Sequence, residues 1–159
     1  MKKAALHNLG CKVHAYETEA MQEILEKHGY EIVPFGEKAD VYLINTCSVT
    51  NIADRKSRQM LHRARKMNPD AVVIAAGCYV QAAGRELLQD SSVDILIGNN
   101  EKANLPEILK AWEEEHDASH IHDLTREHTY EELSLSHTAE HTRAYMKIQD
   151  GCNQFCTYC

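Results

Sequence analysis

The sequence predicts a doubly wound α/β domain built on a parallel sheet. Three observations lead there. Short apolar runs alternate with segments of helical periodicity over residues 1–116. The apolar runs are nearly unbroken, as strands covered on both faces require. Gly and Pro stand at several of the junctions. The composition agrees, since 43% of the 159 residues are hydrophobic while glycine (7) and proline (3) are few.

The elements follow in order. Ala4 to Leu9 reads as a first strand. Ala15 to His28 reads as a helix, with Ala20, Met21, Ile24 and Leu25 at helical spacing and Gly29 as the stop. Glu31 to Phe35 is a second strand, ended by Pro34 and Gly36, and Val41 to Asn45 a third. Asn51 to Met67 is a second helix, closed by Asn68-Pro69. Ala71 to Ala76 is the clearest strand. Val80 to Gln89 is helical, Val93 to Ile97 is a further strand, and Glu101 to Glu115 is a last helix.

The character changes after Trp112. Residues 117–142 form an acidic, histidine-rich connector, with room for a short strand at His120 to Asp123. Arg143 to Gln149 reads as a new strand running into a cysteine cluster, so residues 143–159 are expected to begin a second unit. A chain ending on a ligand-type cysteine reads as part of a longer protein.

Met1-Lys2-Lys3 followed by Leu9-Gly10-Cys11 has the outline of a lipoprotein leader. The stretch between is too short and is broken by His7 and Asn8, which argues against export. No window reaches the length of a membrane span. The expected location is therefore the cytoplasm, where six cysteines point to metal ligands or catalytic thiols rather than disulfides. The net charge of −7 argues against a surface that grips nucleic acid everywhere, but leaves room for a basic patch. Arg55, Lys56, Arg58, Arg63, Arg65 and Lys66 make the second helix basic, and Arg55, Arg58, His62 and Arg65 share a face. That face is an RNA contact or a solvated helix side. Six histidines between His116 and His141 are a weaker metal signal. Glu113-Glu114-Glu115 reads as a solvated helix end.

The cysteines fall into two sets of three. Cys152, Cys156 and Cys159 have the spacing C-x3-C-x2-C. Three thiolates in one loop can bind three irons of a cubane [4Fe–4S] cluster and leave the fourth open for a ligand. The alternative is a zinc knuckle that lacks its fourth ligand here. Cys11, Cys47 and Cys78 are far apart in sequence, yet each follows a predicted parallel strand. Parallel strands point their C-terminal ends to one edge, where open α/β sheets bind ligands. Gly10 and Gly77 precede two of them and let the backbone turn tightly. The alternative is three unrelated buried thiols.

The terminal spacing resembles the signature of the radical S-adenosylmethionine (SAM) superfamily. Four motifs sharpen the likeness: Leu9-Gly10-Cys11-Lys12-Val13, Asn45-Thr46-Cys47-Ser48-Val49-Thr50, Gly77-Cys78-Tyr79-Val80-Gln81 and Asp150-Gly151-Cys152-Asn153. Together they resemble the methylthiotransferase family over essentially the whole chain. The resemblance implies that residues 1–116 are that family's amino-terminal domain. It implies an auxiliary [4Fe–4S] cluster on Cys11, Cys47 and Cys78, and a SAM-binding [4Fe–4S] cluster on Cys152, Cys156 and Cys159. Tyr158 would lie near the SAM adenine or simply pack the loop. No residue is assigned a catalytic role. SAM would serve as methyl donor and as radical source, and an electron donor is implied as a partner.

Cys11-Lys12-Val13 and Lys147-Ile148-Gln149-Asp150-Gly151-Cys152 look most like the branch acting on threonylcarbamoyladenosine beside the tRNA anticodon. Other branches modify isopentenyladenosine in tRNA or a ribosomal protein. His14 departs from the resemblance, because the family usually has Asn there. Its imidazole could stand at the cluster, behind it, or in solvent. Two readings from other classes are a zinc-binding module without catalysis and a flavodoxin-like nucleotide binder. The second lacks its Gly-rich loop, since Leu9-Gly10-Cys11-Lys12 holds one glycine. Residues 1–159 alone are expected to fold without turning over, with the three dispersed thiols better protected than the terminal three. Oligomeric state is not legible in the sequence.

Overall fold

The computed structural model describes residues 1–48, 50–116, 118–121, 130–136, 145–149 and 156–157. Six strands form one sheet: β1 (Lys3–Asn8), β2 (Glu31–Ile32), β3 (Val41–Thr46), β4 (Val72–Gly77), β5 (Ile95–Ile97) and β6 (Ser119–His120). All neighbours are parallel, in the order β2-β1-β3-β4-β5-β6. Among the described residues, four α-helices flank it: α1 (Lys12–Lys27), α2 (Asn51–Met67), α3 (Cys78–Ala83) and α4 (Leu105–Glu115). The doubly wound α/β class predicted from the sequence is therefore the observed one.

Alternation along β3 shows why both faces need cover. Val41 and Leu43 belong to one apolar cluster, with Met21 and Leu25 of α1 and Leu105, Ile108 and Leu109 of α4. Tyr42 and Ile44 belong to the other, with Leu61 and Ala64 of α2 and Val80 of α3. Successive side chains on a strand point to opposite faces, so an unbroken apolar run serves two cores at once.

The helices start where local chemistry allows. Thr50 caps α2, its Oγ1 accepting a hydrogen bond from Ala53 N at 3.2 Å, and Asp54 lies in the first turn. Pro106 sits at the start of α4, where its missing N–H costs nothing. Two predicted helices are shorter or less regular than expected. Residues 80–89 split into α3 and a 3-10 stretch over Gly84–Gln89, because Gly84 has φ +61°. Residues 101–104 form a 3-10 turn ahead of α4.

Other boundaries differ, among them the start of β5, at Ile95 rather than Val93. α1 begins at Lys12, three residues before the predicted start. β2 keeps only Glu31–Ile32 of the predicted Glu31 to Phe35. The strand predicted for Arg143 to Gln149 is not found in its described part, since residues 145–149 are irregular and lie against α1. A strand needs a neighbouring edge, and this segment meets a helix instead. Within the 117–142 stretch, Ser119 and His120 add an edge strand, paired with Leu96 and Ile97.

Candidate metal centre

The strand order turns between β1 and β3: the chain leaves β1 toward β2 on one side, while β3, β4 and β5 extend on the other. At such a switch point, loops leaving the C-terminal ends of the strands part and open a crevice. Cys11 follows β1, Cys47 follows β3 and Cys78 follows β4. Thr46 and Gly77 are register partners, so Cys47 and Cys78 leave adjacent strands at the same level.

Each thiol also stands near a helix start. Cys11 is the N-cap residue of α1, Cys78 is the first residue of α3, and Cys47 lies three residues before the Thr50 cap of α2. The N–H of Cys47 is bound to Ser57 Oγ at 3.4 Å, and the same hydroxyl donates to Cys47 O at 3.3 Å. This fixes the loop against α2.

Glycine makes the close approach possible at two points. Gly77 has φ +97°, and a Cβ there would fall 2.6 Å from Asn45 Oδ1 and 2.7 Å from Thr46 O. That Oδ1 is buried and has no hydrogen-bond partner among the described residues. A Cβ on Gly10 would fall 1.7 Å from Nδ1 of His14.

His14 is buried, and its ring lies among the thiols. Nε2 is 3.4 Å from Cys78 Sγ and Nδ1 is 3.9 Å from Cys11 Sγ. Burial holds the imidazole below its ordinary pKa; Glu17 opposes this, while Lys102 and Lys147 reinforce it. Burial pushes the Cys78 thiol up, Asn99 and Lys102 draw it down, and Glu17 and Cys47 add to the rise. Cys47 is buried at 6% exposure, Cys78 is half-buried and Cys11 is exposed. The expectation that the dispersed thiols would be better protected than the terminal three does not hold for Cys11, which stands at the N-cap of a helix at the rim of the sheet and is as exposed as Cys156 by class.

Among the described residues, no three His, Cys, Asp or Glu side chains are close enough to share a single metal ion. A cubane cluster is larger than one ion and holds its thiolates farther apart. The donor set is all sulfur, which suits iron–sulfur or zinc chemistry rather than calcium or magnesium. Three thiols at one edge, beside helix N-termini and with glycines where the backbone approaches, fit an iron–sulfur group.

Behind the thiols lies a buried charge network that periodicity did not reveal. Glu17 Oε2 is 3.1 Å from Lys102 Nζ, and Glu17 Oε1 is 3.2 Å from Lys147 Nζ. Lys102 Nζ also donates to Asn99 Oδ1 at 3.0 Å. Glu131 accepts from the N–H groups of Lys102 and Ala103, at 2.5 and 3.1 Å. Burial pushes Glu17 up, but Lys102 and Lys147 outweigh it and keep the carboxyl below its ordinary value.

The basic face of α2 is partly committed inside the molecule. His62 Nε2 is 2.7 Å from Asp90 Oδ2 and Arg65 Nη2 is 2.5 Å from Asp94 Oδ2. Arg65 also donates to Pro69 O and Ala71 O, and Arg58 Nη1 reaches Tyr79 Oη at 3.5 Å. Arg55, Lys56, Arg63 and Lys66 are exposed. Cys156 is exposed, while Cys152, Tyr158 and Cys159 lie outside the described residues. Of the histidines between His116 and His141, His122, His128, His137 and His141 also lie outside them. No helix among the described residues is long and apolar enough to cross a membrane.

Comparison with known proteins places this geometry among relatives. Residues 3–98 match the model of "Uncharacterized protein family UPF0004". The chain is 42% identical over its whole length to a threonylcarbamoyladenosine tRNA methylthiotransferase of Bacillus subtilis, covering 36% of that protein. It is 38% identical to the enzyme of the same name from Aquifex aeolicus, with 99% of this chain and 38% of that one aligned. A tRNA-2-methylthio-N(6)-dimethylallyladenosine synthase of Rickettsia conorii is 32% identical, again over 99% of this chain and 38% of its own length. The chain thus spans well under half the length of these relatives.

Proposed function

Since the chain belongs to uncharacterized protein family UPF0004, the amino-terminal domain of methylthiotransferases, we propose that it forms part of a tRNA methylthiotransferase. The reaction proposed is addition of a methylthio group to threonylcarbamoyladenosine next to the anticodon, by radical SAM chemistry. The observation that carries this reading is the arrangement of Cys11, Cys47 and Cys78 after β1, β3 and β4 at the switch-point edge. These three would hold the auxiliary [4Fe–4S] cluster, and Cys152, Cys156 and Cys159 the one that binds SAM, with Tyr158 beside the adenine. When bound, the clusters and SAM would supply the radical, the sulfur and the methyl group, with the electron delivered by an external donor.

This chain's own residues position and shield. Helix N-termini and the Ser57 bonds hold the thiols at the sheet edge, and Gly10 and Gly77 leave room for close approach. The network around Glu17 ties residue 147, five positions before Cys152, to the helix that Cys11 caps. Arg55, Lys56, Arg63 and Lys66 remain exposed for a phosphate backbone. The protein would work in the cytoplasm with an electron donor.

The threonylcarbamoyladenosine branch is favoured because relatives of that name reach 42% and 38% identity, against 32% for the dimethylallyladenosine synthase. The deciding experiment is the tRNA nucleoside profile of a strain lacking the full gene. Loss of methylthio-threonylcarbamoyladenosine is expected. Loss of the methylthio-isopentenyl nucleoside, or of neither, overturns the substrate assignment.

A further inference from the structure

His14 is built into the thiol pocket rather than resting on a helix surface. It is 5% exposed, although it lies in the first turn of α1. Its backbone carbonyl accepts from Asn45 Nδ2 at 3.2 Å and from Thr18 Oγ1 at 2.7 Å, which fixes the turn that carries it. The ring occupies space that any residue larger than glycine at position 10 would fill. Its two nitrogens face Cys78 and Cys11, the Cys78 contact being the shorter, at 3.4 Å against 3.9 Å.

We propose that His14 is a positioning residue that donates its Nε2–H to the Cys78 sulfur and thereby sets the reduction potential of the group held by the three dispersed thiols. This rests on reading Cys11, Cys47 and Cys78 as iron–sulfur ligands. Of the two ring nitrogens, Nε2 makes the shorter sulfur contact and is the better placed to donate. Hydrogen bonds to ligand sulfurs stabilise the more negative, reduced state of a cluster and so raise its potential. The outer partners of metal ligands tune the metal in this way even though they never touch it.

The test uses the full-length protein with Cys152, Cys156 and Cys159 changed to Ala, so that only the dispersed set can load. This parent is reconstituted anaerobically with iron and sulfide, and iron content and the midpoint potential of the cluster are measured. His14→Leu removes the donor. His14→Gln places an amide N–H near the position of Nε2, and His14→Asn near that of Nδ1. The expected result is full iron loading in all three variants, a lower potential for His14→Leu, recovery by His14→Gln, and little recovery by His14→Asn. Equal potentials for the parent and His14→Leu would overturn the inference. So would loss of iron from His14→Leu, or a nitrogen bonded to iron in magnetic spectra of protein carrying labelled histidine. A parent that loads no cluster fails at an earlier step, because it refutes the ligand reading itself and the role of His14 with it.

Discussion

One carboxylate oxygen of Glu17 stands 3.2 Å from Nζ of Lys147, across 130 positions of sequence. Both side chains are almost fully buried, at 3% and 1% exposure. The other oxygen of Glu17 takes Lys102, so one carboxylate serves two ammonium groups. A buried charge of this kind is stable only while every partner is present. The pair therefore joins α1, capped by Cys11, to the segment that leads to Cys152.

Removing both partners should cost less than the sum of removing each alone. Lys147→Met and Glu17→Gln are each expected to destabilise the chain by about 3–5 kcal/mol, the range for breaking a buried pair. The double variant should lose less than the sum. Denaturant unfolding measures the coupling, and amide exchange at residues 145–149 should rise in each single variant. Additive losses would show that the contact is not energetically coupled.

The thiols should react with an alkylating agent in an order set by burial. In metal-free, anaerobic protein, Cys11 and Cys156 are expected first, Cys78 next and Cys47 last, since Cys47 is covered and its loop is bound to Ser57. Mass mapping of partially modified protein reads the order. Early modification of Cys47 would contradict the packing of its loop against α2.

Glu23 gives a pH dependence with a definite sign. Lys27 and the hydroxyl and N–H of Ser136 hold its carboxyl at about 2, below the ordinary 4.5. A depressed carboxyl contributes stability above its unfolded pKa and loses it as pH falls through the folded one. The stability difference between the parent and Glu23→Gln should thus be constant above about pH 5 and shrink between about 4.5 and 2. Amide exchange across residues 130–136 should rise in the same window. A difference that does not change with pH would mean that the Ser136 bonds do not form.

Gly77→Ala should be costly at one place in the fold. The residue sits at φ +97° and its Cβ would meet Asn45 Oδ1 and Thr46 O. A loss of about 1–3 kcal/mol is expected from the backbone strain alone, together with weaker iron retention, because Cys78 follows directly. Gly29→Ala shares the positive φ but has open space around it, and should lose stability without losing iron. Equal iron retention in the two variants would separate Gly77 from the site.

Residue pattern alone reaches far in this chain. Short, nearly unbroken apolar runs such as Val41 to Asn45, alternating with helical segments, suit strands covered on both sides, so the parallel sheet was legible. The positions of Cys47 and Cys78, one residue beyond β3 and β4, were legible for the same reason, since strand ends follow from where the apolar run stops. The terminal C-x3-C-x2-C spacing is likewise a local property.

Other features depend on which distant residues meet. Nothing near His14 in sequence marks it as buried; it is buried because β1 and β4 are brought to one edge, which sets Cys78 against its ring. Glu17 and Lys102 read as surface charges until α1 and the turn before α4 pack on the same face of the sheet. Arg143 to Gln149 carries a strand pattern, yet its described residues are irregular and meet α1 through Lys147. Periodicity records which side of an element is apolar. Whether a charged or aromatic group is buried, and against which partner, is decided by long-range packing, because only there can desolvation be offset by a hydrogen bond or an opposite charge.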